Sequence, residues 1–172
     1  MDSAETELIR WFQENPKASL GQVKKLFKTW CNAFVLEPNV LAWTSSGYSY
    51  ERSLVKRVEP FFDILILKWT PGAKAPYHDH ASRGCLQVVL NGKLHEKRLG
   101  VSGEPAIQST LTPETSPSFM NNSLGIHSIS NPTNTNVFSI HLYAPCKHQT
   151  KFFIWSLSQI NSFPRIYFRR CI

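Results

Sequence analysis

The sequence predicts a mainly β protein: an antiparallel β-barrel or jelly roll with two α-helices in front of it. Three observations carry this. Two helical apolar stripes fill the first 35 or so residues. From about residue 40 to residue 172, short apolar or alternating runs are separated by turn residues. No long helical pattern intervenes between those runs, which favours antiparallel pairing over a parallel βαβ layout. The 172 residues suit one domain with a sizeable core.

The first helix is expected near the start. Asp2 followed three residues later by Glu5 resembles a capping box; Leu8, Ile9, Trp11 and Phe12 supply an apolar face, and Pro16 stops the run. Ser19 with Gln22 resembles a second cap. Val23, Leu26, Phe27 and Trp30 then recur at the helical spacing and read as a core-facing stripe. Cys31 falls in the same pattern as a small buried hydrophobe.

The strand-like runs are FFDILILKW (61–69), CLQVVL (85–90), KLHEKRL (93–99), HSIS (127–130) and VFSIHLY (137–143). Asn91-Gly92 between two of them predicts a hairpin. Pro71-Gly72, Gly100, Gly103-Glu-Pro105 and Asn131-Pro132 mark further turns.

Composition excludes several classes. The hydrophobic fraction is 42% and the charged fraction 18%, as in ordinary globular proteins. No apolar run reaches the roughly 18 residues of a membrane span. The N-terminal stretch lacks the basic flank and apolar centre of a secretion signal, so a cytoplasmic protein with no membrane partner is expected. The net charge is +7, but the basic residues are scattered and no nucleic-acid motif accompanies them, so no nucleic-acid partner is expected. The four cysteines form no CxxC pair and need no disulfide framework. A monomer is expected.

The chemistry-bearing feature is APYHDHASRGC, residues 75–85. On a strand, residues i and i+2 share a face. His78 and His80 therefore aim together, about 7 Å apart along the chain, and could share an ion. An HxH alone is weak, and His95, His127, His141 and His148 all compete to be a third ligand. In VFSIHLY, Ser139, His141 and Tyr143 occupy one strand face, with Phe138, Ile140 and Leu142 on the other. That polar row is either an exposed edge or the lining of a barrel interior. The aliphatic reverse face makes the interior the more economical reading.

Written out, the spacing is Gly72, five residues, His78, one, His80, four, Cys85, six, Gly92. This resembles the first motif of the cupin barrels, with cysteine at the usual acidic position. A looser second motif is Gly125, Ile126, His127 and then Asn131. Within the cupins, the cysteine at position 85 resembles that of the thiol dioxygenases of the cysteine dioxygenase family. YERSLV (50–55), HDHASRGC (78–85), SLGIHSISN (123–131) and SIHLYAP (139–145) match that family in order, over roughly residues 48 to 145.

The resemblance implies a role for each matching residue. His78, His80 and His127 would bind Fe(II). Arg52, helped by Tyr50, would take the substrate carboxylate in a forked contact. Cys85 would be joined through sulfur to the ring of Tyr143, and Ser139 would hold His141 against the Tyr143 hydroxyl. The substrates implied are L-cysteine and O2, and the product is cysteine sulfinic acid. A close alternative is another small thiol such as 3-mercaptopropionate, although relatives specific for it carry Gln where Arg52 stands. A cupin that binds metal without catalysis, as a sensor, is the alternative of a different class. His95 and His148 read as solvent-facing, Asp79 as structural, and Trp69 and Trp155 as packing residues.

Overall fold

The structure is a computed structural model. It describes residues 3–38, 41–46, 48–102, 107–153 and 166–167. Among the described residues, two helices, α1 (Ser3–Glu14) and α2 (Lys24–Ala33), precede twelve strands. The first six are β1 (Thr44–Ser45), β2 (Tyr50–Val58), β3 (Phe62–Trp69), β4 (Lys74–His78), β5 (Gly84–Val89) and β6 (Leu94–Leu99). There follow β7 (Ile107–Leu111), β8 (Ser118–Met120), β9 (Ile126–Ser130), β10 (Val137–Ala144), β11 (Phe152–Phe153) and β12 (Ile166–Tyr167).

Both helices form where the apolar stripes lie. Leu8 and Phe12 of α1 and Phe27, Trp30 and Cys31 of α2 are buried. Ser19 accepts a hydrogen bond from the Gly21 N–H and opens a short 3-10 turn that leads into α2. Asp2, the first half of the expected capping box, lies outside the described residues.

The strands pair antiparallel in two six-stranded sheets, in the orders β1-β2-β3-β10-β5-β8 and β12-β11-β4-β9-β6-β7. The predicted barrel is therefore a pair of facing sheets, a jelly-roll arrangement, rather than one continuously bonded cylinder. The helices lie on the outer face of the first sheet. There Leu8, Phe12 and Phe27 pack with Phe62, Ile64, Leu86, Ile140 and Leu142. Between the sheets, Trp69, Val89 and Val137 of the first pack against Ala75, Leu94 and Ile129 of the second.

Period-2 alternation on β10 accounts for both layers. Ile140 and Leu142 face the helices, while Ser139 and His141 are buried on the inner side. The polar row thus lines the interior.

One turn departs from expectation. Asn91-Gly92 is not a hairpin, because β5 pairs with β10 and β8 while β6 pairs with β7 and β9. The dipeptide carries the chain from one sheet to the other. Gly92 takes the left-handed conformation (φ +65°). The Asn91 side chain bonds to Asn136 O (3.1 Å) and the Phe138 N–H (2.8 Å), tying the crossing to the start of β10.

Candidate metal centre and substrate cleft

The three histidines singled out in the sequence converge. His78 ends β4, His80 follows two residues later, and His127 on β9 stands directly across from His78. The Nε2 atoms of His80 and His127 are 3.0 Å apart, and those of His127 and His78 are 3.1 Å apart. All three side chains are buried.

Local structure fixes each ring. Gly125, just before β9, has φ +113°, and a Cβ there would stand 2.0 Å from Leu99 O. Only glycine lets the turn pass that close to β6, and this sets where β9 begins. His80 lies beyond the end of β4, and the Asn122 amide pins its backbone. The His80 N–H donates to Asn122 Oδ1 (2.8 Å) and Asn122 Nδ2 donates to His80 O (3.0 Å).

Two of the three tautomers follow from their partners. His78 Nδ1 lies 2.8 Å from Pro76 O, and His127 Nδ1 lies 2.7 Å from Glu96 Oε1. A carbonyl and a carboxylate only accept, so both Nδ1 atoms carry the proton and both Nε2 atoms present lone pairs. Two lone pairs facing each other at 3.1 Å do not make a hydrogen bond. A cation between them removes the repulsion. Burial holds His78 below the usual imidazole range, and it holds His80 and His127 well below it, with the neighbouring imidazoles adding to the effect. The cluster therefore offers neutral nitrogen donors, the form a divalent metal requires. Among the described residues, no carboxylate or thiol joins the three nitrogens as a fourth ligand. A divalent ion held there keeps its full charge.

Glu96 is the functional residue that the sequence did not reveal. It is 1% exposed and sits behind His127. Its Oε2 accepts from Arg98 Nε (2.9 Å) and Ser109 Oγ (3.2 Å). A carboxylate on the far nitrogen of a metal-binding histidine fixes the ring and raises its donor strength.

The opposite wall comes from the other sheet. Cys85 on β5 and Tyr143 on β10 are direct cross-strand partners. Burial raises both the thiol and the phenol above their ordinary ranges. Trp69 Nε1 donates to Ser139 Oγ (2.8 Å), and Ser139 Oγ lies 2.8 Å from His141 Nε2. The arrangement that uses the Ser139 proton sends it to Nε2. The ring's own proton then sits on Nδ1, 3.5 Å from the Tyr143 hydroxyl. Burial pushes His141 down to about 3, so its ring is neutral. Trp69, expected to be a packing residue, also starts this chain of hydrogen bonds.

Between the two walls lies a cleft of about 590 Å³, part of it open to solvent. Tyr50 and Arg52 of β2 line it together with His78, His141 and Tyr143. Tyr50 stacks on Trp69 at 4.6 Å. Cys85 is buried 3.9 Å from His141 Nδ1. Of the expected residues, Tyr50, Arg52, His78, His141 and Tyr143 line this cavity, while His80 and His127 stand against one another and His78, and Cys85 and Ser139 stand against His141.

The other residues read from the sequence fall into place as follows. His95 is exposed, as its charged neighbours implied, and Asp79 accepts from the Lys151 N–H (2.7 Å) in a structural role. His148 is corrected: it is largely buried and lines the cleft rather than facing solvent, because the chain after β10 turns back over the opening. Trp155 lies outside the described residues.

The fold has known counterparts. A structure of oxalate oxidase aligns with a TM-score of 0.55 at 16% identity, covering 69% of this chain and 62% of that one. An RmlC-like cupin from Shewanella frigidimarina aligns at 0.50 and 16% identity, covering 67% and 93%. These likenesses establish the cupin fold. Among curated sequences, cysteine dioxygenase type 1 of Danio rerio is 34% identical over 106 residues, 57% of this chain and 52% of the relative. The Homo sapiens protein of the same name is 32% identical over 104 residues, again 57% and 52%. The chain spans about half the length of the curated relatives it matches. The family description "Cysteine dioxygenase type I" matches residues 37–154, the stretch that holds every residue of the cleft and the metal centre, and the chain belongs to that family.

Proposed function

We propose that the protein is a cysteine dioxygenase, oxidising L-cysteine with O2 to cysteine sulfinic acid on Fe(II) held by His78, His80 and His127. One observation carries the reading. Three neutral imidazoles, with no carboxylate beside their donor nitrogens, meet at 3.0–3.1 Å at the edge of a cleft lined by Arg52, in a chain of this family.

The reaction balances without any other reductant. Both oxygen atoms go to sulfur; the thiol sulfur loses four electrons, O2 gains them, and the S–H proton is released. The iron, when bound, supplies O2 binding and the redox chemistry. With no protein carboxylate on the ion, the net charge at the centre attracts an anionic thiolate.

The protein's own groups bind and orient. Arg52 pairs with the substrate carboxylate in a forked, charge-assisted contact, and the Tyr50 hydroxyl supports it. Burial raises Tyr143 well above its usual range, so the phenol that lines the cleft stays protonated and can donate. Neutral His141, held by Ser139, keeps that phenol in place. Cys85 forms a thioether to the Tyr143 ring, losing the hydrogens of S–H and ring C–H to O2 and removing the phenol's freedom to rotate.

The test is turnover. Iron-loaded protein given L-cysteine should consume O2 and form sulfinate in equal amounts, faster than with 3-mercaptopropionate. Arg52→Ala should lower kcat/KM for cysteine by about 10- to 100-fold, the worth of a charged hydrogen-bonded contact. No O2 uptake with any small thiol would overturn the proposal in favour of a non-catalytic metal-binding cupin.

A further inference from the structure

Beyond β10 the chain bends back over the cleft, and two carboxylates hold it there. The Lys147 N–H donates to Asp63 Oδ2 (2.7 Å), and the Lys151 N–H donates to Asp79 Oδ1 (2.7 Å). Lys147 adopts a left-handed conformation (φ +61°), uncommon for a lysine, to make that turn. Asp63 is itself locked by the Arg57 fork at 2.7 and 2.9 Å.

His148 lies between the two anchors and is turned inward, with its side chain 14% exposed. Its ring is 6.0 Å from that of Tyr143, with the planes 19° apart. Its Nε2 stands 3.5 Å from Asp79 Oδ1 and has no hydrogen-bond partner among the described residues. A cleft-lining imidazole with an unpaired buried nitrogen is a group prepared for a ligand, since leaving it unpaired is costly. Its position matters too. A second, outer depression adjoins the inner cleft, and Arg52, Asp63, Leu65 and His148 line both. His148 and Arg52 therefore stand at the boundary between the two spaces.

We propose that His148 is a specificity-determining residue for the thiol substrate. It closes the cleft at the end where the carboxylate meets Arg52 and gives that carboxylate a second donor. The inference rests on the dioxygenase reading above. The three histidines fix where sulfur sits, and the Arg52–His148 boundary fixes where the carboxylate sits. A thiol longer by one methylene must displace the imidazole or give up a contact.

The experiment compares wild type, His148→Ala and His148→Gln in the full chain. Cysteine binding is measured anaerobically by calorimetry on iron-loaded protein, and kcat/KM is measured for cysteine and for homocysteine. His148→Ala should raise the cysteine Kd about tenfold, the loss of one hydrogen bond to a charged group. It should also lower the preference for cysteine over homocysteine about tenfold, a one-methylene discrimination. His148→Gln, which keeps a donor, should recover most of the Kd. Melting temperatures separate these effects from misfolding. An active wild type with His148→Ala unchanged in both Kd and preference overturns the inference alone. A wild type that neither binds nor oxidises cysteine overturns the dioxygenase reading and this inference with it.

Discussion

Glu96 Oε1 accepts a hydrogen bond from His127 Nδ1–H at 2.7 Å, so a carboxylate from β6 reaches the metal centre without touching the metal position. The carboxylate acts on the centre through the imidazole ring rather than as a ligand. Replacing it with Gln keeps the shape and removes the charge. Glu96→Gln should weaken metal binding by about 10- to 100-fold, the usual effect of losing such a supporting carboxylate. Competition with a chelator of known affinity measures this, and an unchanged Kd would show that Glu96 only packs.

The Cys85–Tyr143 pairing has its own signature. Protein matured with iron, thiol and O2 should be lighter by two hydrogens, and it should run as a doublet on a denaturing gel. Cys85→Ser should collapse the doublet and restore the full mass. A doublet that persists in that variant would assign it to another cause.

Acid should destabilise the metal-free protein. Burial depresses His78, His80, His127 and His141, the last to about 3. The same imidazoles titrate near 6.5 in the unfolded chain. Between those values the unfolded chain binds protons that the folded chain does not. Stability present above about pH 6.5 is therefore lost as pH falls, and His141, held at about 3, accounts for about 2 kcal/mol of it at pH 5. Melting temperature followed from pH 7.5 to 5 should fall steeply, and less steeply in His141→Gln. A melting temperature that holds constant over that interval would contradict the assignment.

Gln87 is 2% exposed, and both of its amide atoms lack partners among the described residues. It faces the interior across from His141. Replacing an unpartnered buried amide by an apolar group of similar size removes a desolvation cost of about 1–3 kcal/mol. Gln87→Leu should raise the melting temperature. A drop would mean that the amide has a partner, such as an ordered water.

The legible parts of the site were those written in local spacing. HxH, the glycines around it and the Ser-His-Tyr row each depend on residues a few positions apart, and a strand's period of two orients them. Glu96 was hidden because KLHEKRL reads as a solvated alternating strand. Its partner is 31 residues away, and only the β6–β9 pairing brings them together. His148 was hidden for a similar reason: anchors at Asp63 and Asp79, 84 and 72 residues from the backbone groups they hold, fold its loop inward. Asn91-Gly92 misled in the other direction. The dipeptide suits a hairpin, but β5 gains more by pairing with β10, and long-range pairing overrode the local signal.

The two sheets divide the labour. His78, His127 and Glu96 stand on β4, β9 and β6 of one, while Arg52, Cys85, Ser139, His141 and Tyr143 stand on β2, β5 and β10 of the other. If the proposed function holds, damage to either wall should leave the other's competence standing: a lesion in the first yields a scaffold that still cradles an amino acid but is inert, and one in the second a loaded centre with nothing to hold its fuel. Drift in what the protein consumes can accumulate on one layer while the ion's grip on the other stays untouched.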